Sequence, residues 1–274
     1  MTPAQTFEHY PEKEGSFLDA LLIQKRVIGA LILREVKTRF WKNKMGYLWI
    51  VVEPSLHVII LSCIAYYIRD LKTVLGITPV EVIGTGIVPF FLFRNVSVFI
   101  GASIVANQSL LKYPLVKIID LIIARFTLES LTEMVGGSIV MAALLGLNLM
   151  ALPRDPVGLI APCAALLLMA LGVGTCFAVW QALSNTAWTF IVLGLMVVFM
   201  TSGIFFTGAS LPPQAIQYLA WNPIFDCLTL FRESYFYSFH FPNISIWYPL
   251  AFGAGTWLLG LSMLRVARSR LKEL

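Results

Sequence analysis

Long apolar runs separated by short polar punctuation organise this chain. A hydrocarbon core of about 30 Å is crossed by roughly 20 apolar helical residues. Six stretches meet that length: 46–68, 83–106, 119–147, 157–183, 187–206 and 247–266. Ahead of them, residues 17–40 (FLDALLIQKRVIGALILREVKTRF) place Leu18, Leu21, Leu22, Gly29, Ile32, Leu33, Val36 and Phe40 near helical spacing. Lys25, Arg26, Arg34, Lys37 and Arg39 flank that face. A helix of this kind is expected to lie in the membrane surface, its cations toward anionic headgroups. The cations in its last two turns argue against a seventh span.

The stretch LPPQAIQYLAWNPIFDCLTLFRESYF, residues 211–236, breaks the pattern. Pro212-Pro213 suits a helix start. Residues 214–221 then give about 12 Å of helix at 1.5 Å per residue. Asn222-Pro223 interrupts it, because the residue before a proline resists helical dihedrals. Residues 224–236 supply a second helix of about 20 Å. Neither piece spans a bilayer. Two antiparallel half-helices this apolar are expected to dip into the outer leaflet and return, which requires cover by protein or a water-filled cavity. An amphipathic loop on the outer surface is the alternative.

Composition supports a membrane protein. The chain has 274 residues, 58% hydrophobic and 13% charged, with a mean hydropathy of +0.80; an ordinary soluble domain carries about 25% charged residues. The expectation is therefore one polytopic, all-α integral membrane domain over 1–274. A net charge of +5 would suit nucleic acid, but the placement of the cations excludes that partner. Lys13, Lys25, Arg26, Arg34, Lys37, Arg39, Lys42 and Lys44 precede the first span, Lys112, Lys117 and Arg125 lie at the loop between spans two and three, and Arg265, Arg268, Arg270 and Lys272 end the chain. Only Arg69, Lys72, Arg154 and Arg232 fall on the other side. The basic side is cytoplasmic, so both termini are expected inside. Residues 1–44 then form a cytoplasmic tail and interfacial helix, 46–266 the spans, and 267–274 a second tail. Residues 1–16 are polar and acidic, so no cleavable leader is expected. Cys63, Cys163, Cys176 and Cys227 sit singly in apolar runs and read as packing residues.

The chain has no G-x-x-x-x-G-K-[ST], so it encodes no phosphate cradle and any ATP is hydrolysed by a partner. It has no H-E-x-x-H or G-x-S-x-G either, and His9, His57 and His240 are scattered. No catalytic, metal or cofactor-binding residue is expected. Charges within spans cost about 2.5–3.5 kcal/mol each at the membrane centre on insertion scales. Glu53 lies two turns into the first span with His57 beyond it, and Arg94 lies within the second. Arg125, Glu129 and Glu133 share one face of the third. A hydrated pathway lining and internal ion pairing both account for Glu53 and Arg94; pairing is the expectation for Arg125–Glu129. Ala170, Gly174, Ala178 and Ala182 form a small-residue stripe that permits close helix contact, within the subunit or at a dimer seam. Phe199, Phe205, Phe206, Trp221 and Tyr235 cluster about the outer end of span five and the hairpin, where they can stack on sugar rings or form an interfacial belt.

Four stretches carry a family likeness: REVKTRFWKNKMGYLWIVVEPSLH (34–57), LLKYPLVKIIDLIIAR (110–125), TSGIFFTGASLPPQ (201–214) and WNPIFDCLTLFRESYF (221–236). Together they resemble the transmembrane subunit of type-2 ATP-binding-cassette exporters, specifically the capsular polysaccharide export permease of Gram-negative bacteria. The resemblance implies a single ABC-2 type domain in the inner membrane, working as a homodimer on two copies of an ATPase subunit that supplies ATP and magnesium. It implies an acidic, lipid-linked polysaccharide as cargo, with a periplasmic adaptor or co-polymerase and an outer-membrane exporter beyond. It points to Arg34, Lys37, Arg39, Lys112, Tyr113, Pro114 and Lys117 as the residues coupling to the ATPase; periodicity alone leaves the 109–120 loop open as a plain connector. Glu53, Arg94, Phe205, Trp221, Arg232 and Tyr235 are the candidates for the pathway. O-antigen, teichoic acid, or a lipid or drug are alternative cargoes. A secondary transporter or integral membrane enzyme is the alternative from another class, although no convincing inverted repeat is present.

Overall fold

A computed structural model describes residues 17–42, 46–67, 76–113, 115–184, 186–205, 214, 218–237, 239 and 244–272. The regular elements among them are helices: α1 (Phe17–Lys42), α2 (Gly46–Tyr67), α3 (Pro79–Gly101), α4 (Ser103–Ala106), α5 (Ile118–Gly146), α6 (Ile160–Leu183), α7 (Ala187–Thr201), α8 (Pro223–Tyr235), α9 (Trp247–Val266) and α10 (Arg268–Lys272), with a 3₁₀ turn at Gln108–Lys112.

Five of these, α2, α3, α5, α6 and α9, are long and apolar enough to cross a membrane. The fifth expected span, 187–206, is helical only over the 15 residues of α7, about 22 Å at the helical rise. Its end has a local cause. Gly203 takes φ +81°, a left-handed conformation that closes a helix and that side chains resist. The second span starts earlier than hydropathy suggests. Thr78 caps α3: its Oγ1 accepts from Glu81 N at 3.3 Å, and the Glu81 carboxylate accepts from Thr78 N at 2.8 Å. Pro79 then occupies the first turn, where a missing N–H costs nothing.

The core forms around α3. In its most apolar window 72% of the residues are buried inside the protein, against 22% for α2 and 17% for α9. Ile87, Phe90, Val96 and Ile100 of α3 are fully buried, and α3 packs chiefly on α5 and α6. The stripe on α6 faces inward within the subunit: Ala170 and Ala178 are fully buried, and a Cβ on Gly174 would lie 2.8 Å from Ile100 Cβ of α3. The four cysteines are free thiols.

The second half of the 211–236 segment is α8, which packs on α3, α6 and α9. Asn222 starts it, its Oδ1 accepting from Ile224 N at 3.1 Å. Phe225, Cys227, Leu228, Phe231, Arg232 and Tyr235 are all buried, so the helix belongs to the interior. Residues 215–217 of the expected first half-helix, and Pro114 of the 109–120 loop, lie outside the described residues.

Candidate functional site

Two antiparallel neighbours bring the intramembrane charges level. Glu53 is seven residues into α2 and Arg94 is seven residues from the end of α3, so each lies about 10 Å inside its helix. Arg94 Nη1 donates to Glu53 Oε1 at 2.8 Å and to Asn95 Oδ1 at 3.3 Å. Asn95 Nδ2 donates to Glu133 Oε1 of α5 at 3.1 Å. The polar line therefore runs from α2 through α3 to α5, and pairing lowers the insertion cost of each charge. His57 Nδ1 donates to the Glu53 backbone carbonyl at 2.8 Å, and its ring meets Phe91 edge-on at 5.1 Å.

Arg94 opens onto a cavity of about 290 Å³ between α2, α3 and α7. Its walls include His57, Phe90, Phe91, Trp188 and Phe199. Phe199 packs against Phe90 at 5.2 Å and against Phe205 at 5.3 Å, which joins Phe205 to the aromatic wall. On the other side of α3 a second cavity of about 340 Å³ is bordered by Val88, Leu92, Glu133, Met141, Phe231 and Tyr235. Tyr235 is 2% exposed and donates its hydroxyl to Ala151 O at 2.7 Å. Trp221 is 81% exposed, and its carbonyl accepts from the Tyr248 hydroxyl at 2.8 Å.

Arg232 lies in the interior, 1% exposed. Its guanidinium donates to Gly203 O at 2.7 Å and Val82 O at 2.9 Å, with longer contacts of 3.4 Å to Ile204 O and Thr85 Oγ1. It thereby ties α8 to the turn ending α7 and to the first turns of α3.

At the other end of the spans, α1 lies along α5 and is held by polar ties. Gln24 Nε2 donates to Asp120 Oδ1 at 2.8 Å, Arg34 Nη2 to Asn107 Oδ1 at 2.5 Å, and Arg125 Nη1 to Glu35 Oε1. Arg125 also reaches Glu129 at 3.4 Å, the expected pair. Of the candidate coupling residues, Arg34 is thus partly buried against the bundle, while Lys37, Lys112, Tyr113 and Lys117 are exposed; the Arg39 side chain lies outside the described residues. Sequence reasoning passed over Gln24, Glu35, Asn95, Asn107 and Asp120. The available signal was an acid, Glu35, inside a basic run, and Asp120 opening an apolar helix. Replacing Glu35 with Gln is expected to cost about 1.5–3 kcal/mol, the scale of a hydrogen bond to a charged group. A double-mutant cycle with Arg125→Lys, read by thermal unfolding in detergent, checks this: the two losses should be less than additive.

Residues 26–236, from α1 to just beyond α8, match the family model described as ABC-2 type transporter, so all the candidates above lie inside the match. The chain is similar to the polysialic acid transport protein KpsM of Escherichia coli, with 32% identity over 243 residues, covering 89% of this chain and 94% of that protein. It is similar to the capsule polysaccharide export inner-membrane protein CtrC of Neisseria meningitidis serogroup B, with 30% identity covering 90% and 93%. It also resembles the capsule polysaccharide export inner-membrane protein BexB of Haemophilus influenzae, with 31% identity covering 92% and 95%.

Proposed function

This chain belongs to the ABC-2 type transporter family, and on that premise we propose that it is the inner-membrane permease subunit exporting a bacterial capsular polysaccharide. The observation that carries the reading is similarity along about nine-tenths of the chain to proteins named for polysialic acid transport and capsule polysaccharide export. The five long apolar helices agree with a multi-pass protein of that membrane.

Two copies form the permease, each resting on a separate ATPase subunit that binds ATP and magnesium. The short helix α7 serves as a sixth crossing, both termini are cytoplasmic, α1 rides at the inner interface, and α8 with the residues before it forms a re-entrant hairpin on the outer side. The burial of α8 supports that placement, since re-entrant backbone needs protein around it. Closure of the ATPase subunits is passed through α1 and the 109–120 loop, the dimer seam changes width around the glycan, and the hairpins gate the outer side. A periplasmic adaptor and an outer-membrane exporter receive the polymer. The ties at Asp120, Asn107 and Arg125 support a mechanical role for α1, and the exposure of Tyr113 (62%) and Leu115 (69%) supports docking by the loop.

Purification from native membranes tests this reading: the chain should bring down an ATPase and lose transport when that subunit is removed. Transport by the chain reconstituted alone would overturn it. Lys112→Glu combined with Lys117→Glu is expected to lower export at least tenfold with unchanged thermal stability, because both side chains are exposed. Export is measured as surface polysaccharide, and wild-type levels would remove the loop from the coupling path. Deleting 211–236 while retaining membrane insertion should abolish export.

A further inference from the structure

We infer that the cavity between α2, α3 and α7 is a glycosyl-binding site, holding one ring of the exported polymer at the Arg94–Glu53 pair. The inference rests on the export reading above and assigns that reading a place and a chemistry. The pair is not sealed. The Arg94 and Glu53 side chains remain 38% and 24% exposed although both lie about 10 Å inside their helices. A guanidinium has five N–H donors, and among the described residues the hydrogen bonds of Arg94 all run through Nη1. His57 Nδ1 is taken up by the Glu53 carbonyl, which leaves Nε2 as the ring nitrogen for a further partner.

The site thus sets unused donors beside a carboxylate, with no net charge on the ion pair. This combination selects among ligands. A free phosphate would be drawn to Arg94 but would face the Glu53 carboxylate. An acyl chain would fill the space and desolvate the guanidinium without replacing its lost water, which is costly. A hydroxylated ring satisfies both, since each hydroxyl donates one hydrogen bond and accepts others.

The walls fit the same occupant. Trp188, 48% exposed, and the half-buried Phe199, with the buried Phe90 packed behind it, present flat, rigid apolar surface, against which the C–H face of a pyranose lies while its hydroxyls turn to the polar edge. Arg94 itself sits over the Phe91 ring, 5.3 Å from the centroid, so the polar edge and the aromatic wall adjoin. The volume, about 290 Å³, is at the small end of the range for ligand pockets; it suits one ring at a time rather than a folded segment of polymer.

The test is photo-crosslinking in cells that export through this chain. Met196→p-benzoylphenylalanine places a probe in the cavity wall, and Val135→p-benzoylphenylalanine places one on an exposed part of α5 that does not line the cavity. After irradiation the Met196 adduct should carry glycan, detected by aldehyde labelling after periodate and by sugar fragments in mass spectra, while the Val135 adduct should not. Glu53→Gln or Arg94→Lys should lower the Met196 glycan adduct at least fivefold. The adduct in the otherwise unaltered chain decides the matter even where those variants fold poorly. A Met196 adduct that carries only phospholipid, or none at all, overturns the glycosyl site while export stands, provided that deleting the chain abolishes surface polysaccharide. If deletion leaves that polysaccharide in place, the export reading itself falls and takes this site with it.

Discussion

Replacing Arg232 with methionine is expected to lower the unfolding temperature of the purified protein by roughly 10 °C, corresponding to about 3 kcal/mol or more. The substitution keeps most of the apolar stem and deletes the planar fork. The Gly203 and Val82 carbonyls, 2.7 and 2.9 Å from the guanidinium, then lose charge-assisted donors in the interior. Hydrogen bonds of this class contribute about 1.5–3 kcal/mol each. Relief from burying the cation offsets part of the loss, so the sum of the bonds overstates it. Lysine should be intermediate, because one ammonium cannot reproduce a rigid fork that spans two backbone segments. Gly86 offers an independent check. A Cβ there would lie 2.8 Å from Arg232 Nη2 and 3.1 Å from Ile204 Cα, so Gly86→Ala should disturb the same clamp and combine less than additively with Arg232→Met. A methionine variant melting with the wild type would show that the Arg232 hydrogen bonds do not hold α8 in place.

Gly172→Val should have an effect of comparable size by a different route. At the crossing of α6 and α9, a Cβ on Gly172 would meet Thr256 Oγ1 at 2.3 Å, Trp257 N at 2.6 Å and Gly253 O at 2.8 Å. Two of these are backbone atoms, so the clash is relieved only by separating the helices. Between membrane helices, where lipid tails are as apolar as leucine, close packing of this kind is a main source of affinity. α9 is otherwise little buried, so separation removes most of what holds it. Overpacking costs typically 1–3 kcal/mol and occasionally more, and a β-branched side chain against backbone belongs at the upper end. Gly255→Ala is the matched control. Its Cβ would meet nothing within 4 Å, and exchanging glycine for alanine in a helix gains up to about 1 kcal/mol. The valine variant should yield little monodisperse protein on size-exclusion chromatography, and the control should equal or exceed the wild type. Equal behaviour of the two variants would contradict the close crossing.

The sequence-level expectations succeeded wherever a local rule sufficed. Asn222-Pro223 starts α8 where the chain had to break, and the span at 119–147 differs from α5 by one residue at each end. Where a boundary depended on backbone dihedrals they were less exact: α7 stops at Thr201, ahead of a glycine at positive φ, although apolar residues continue beyond it. Of the candidate pathway residues, Arg94, Glu53 and Phe205 belong to or adjoin one aromatic cavity, Tyr235 borders the other, and Arg232 is an interior residue bonded to backbone carbonyls.

The one-dimensional pattern by itself determined that this chain is a bundle of apolar helices of membrane-crossing length, with a basic side and an interrupted segment before the last helix. Length, apolarity and proline placement are local properties, and local properties suffice for those conclusions. Tertiary structure alone decided which face of each helix meets which neighbour. In a soluble helix the apolar stripe marks the buried face; in lipid every face is apolar, and contacts are chosen by shape at positions such as Gly172 and Gly174 and by polar pairs that must find one another. Those pairs join residues far apart in sequence: Glu53 to Arg94, Glu35 to Arg125, and Arg232 to Gly203 and Val82. No periodicity announces such partners, because each is defined only once the helices stand side by side.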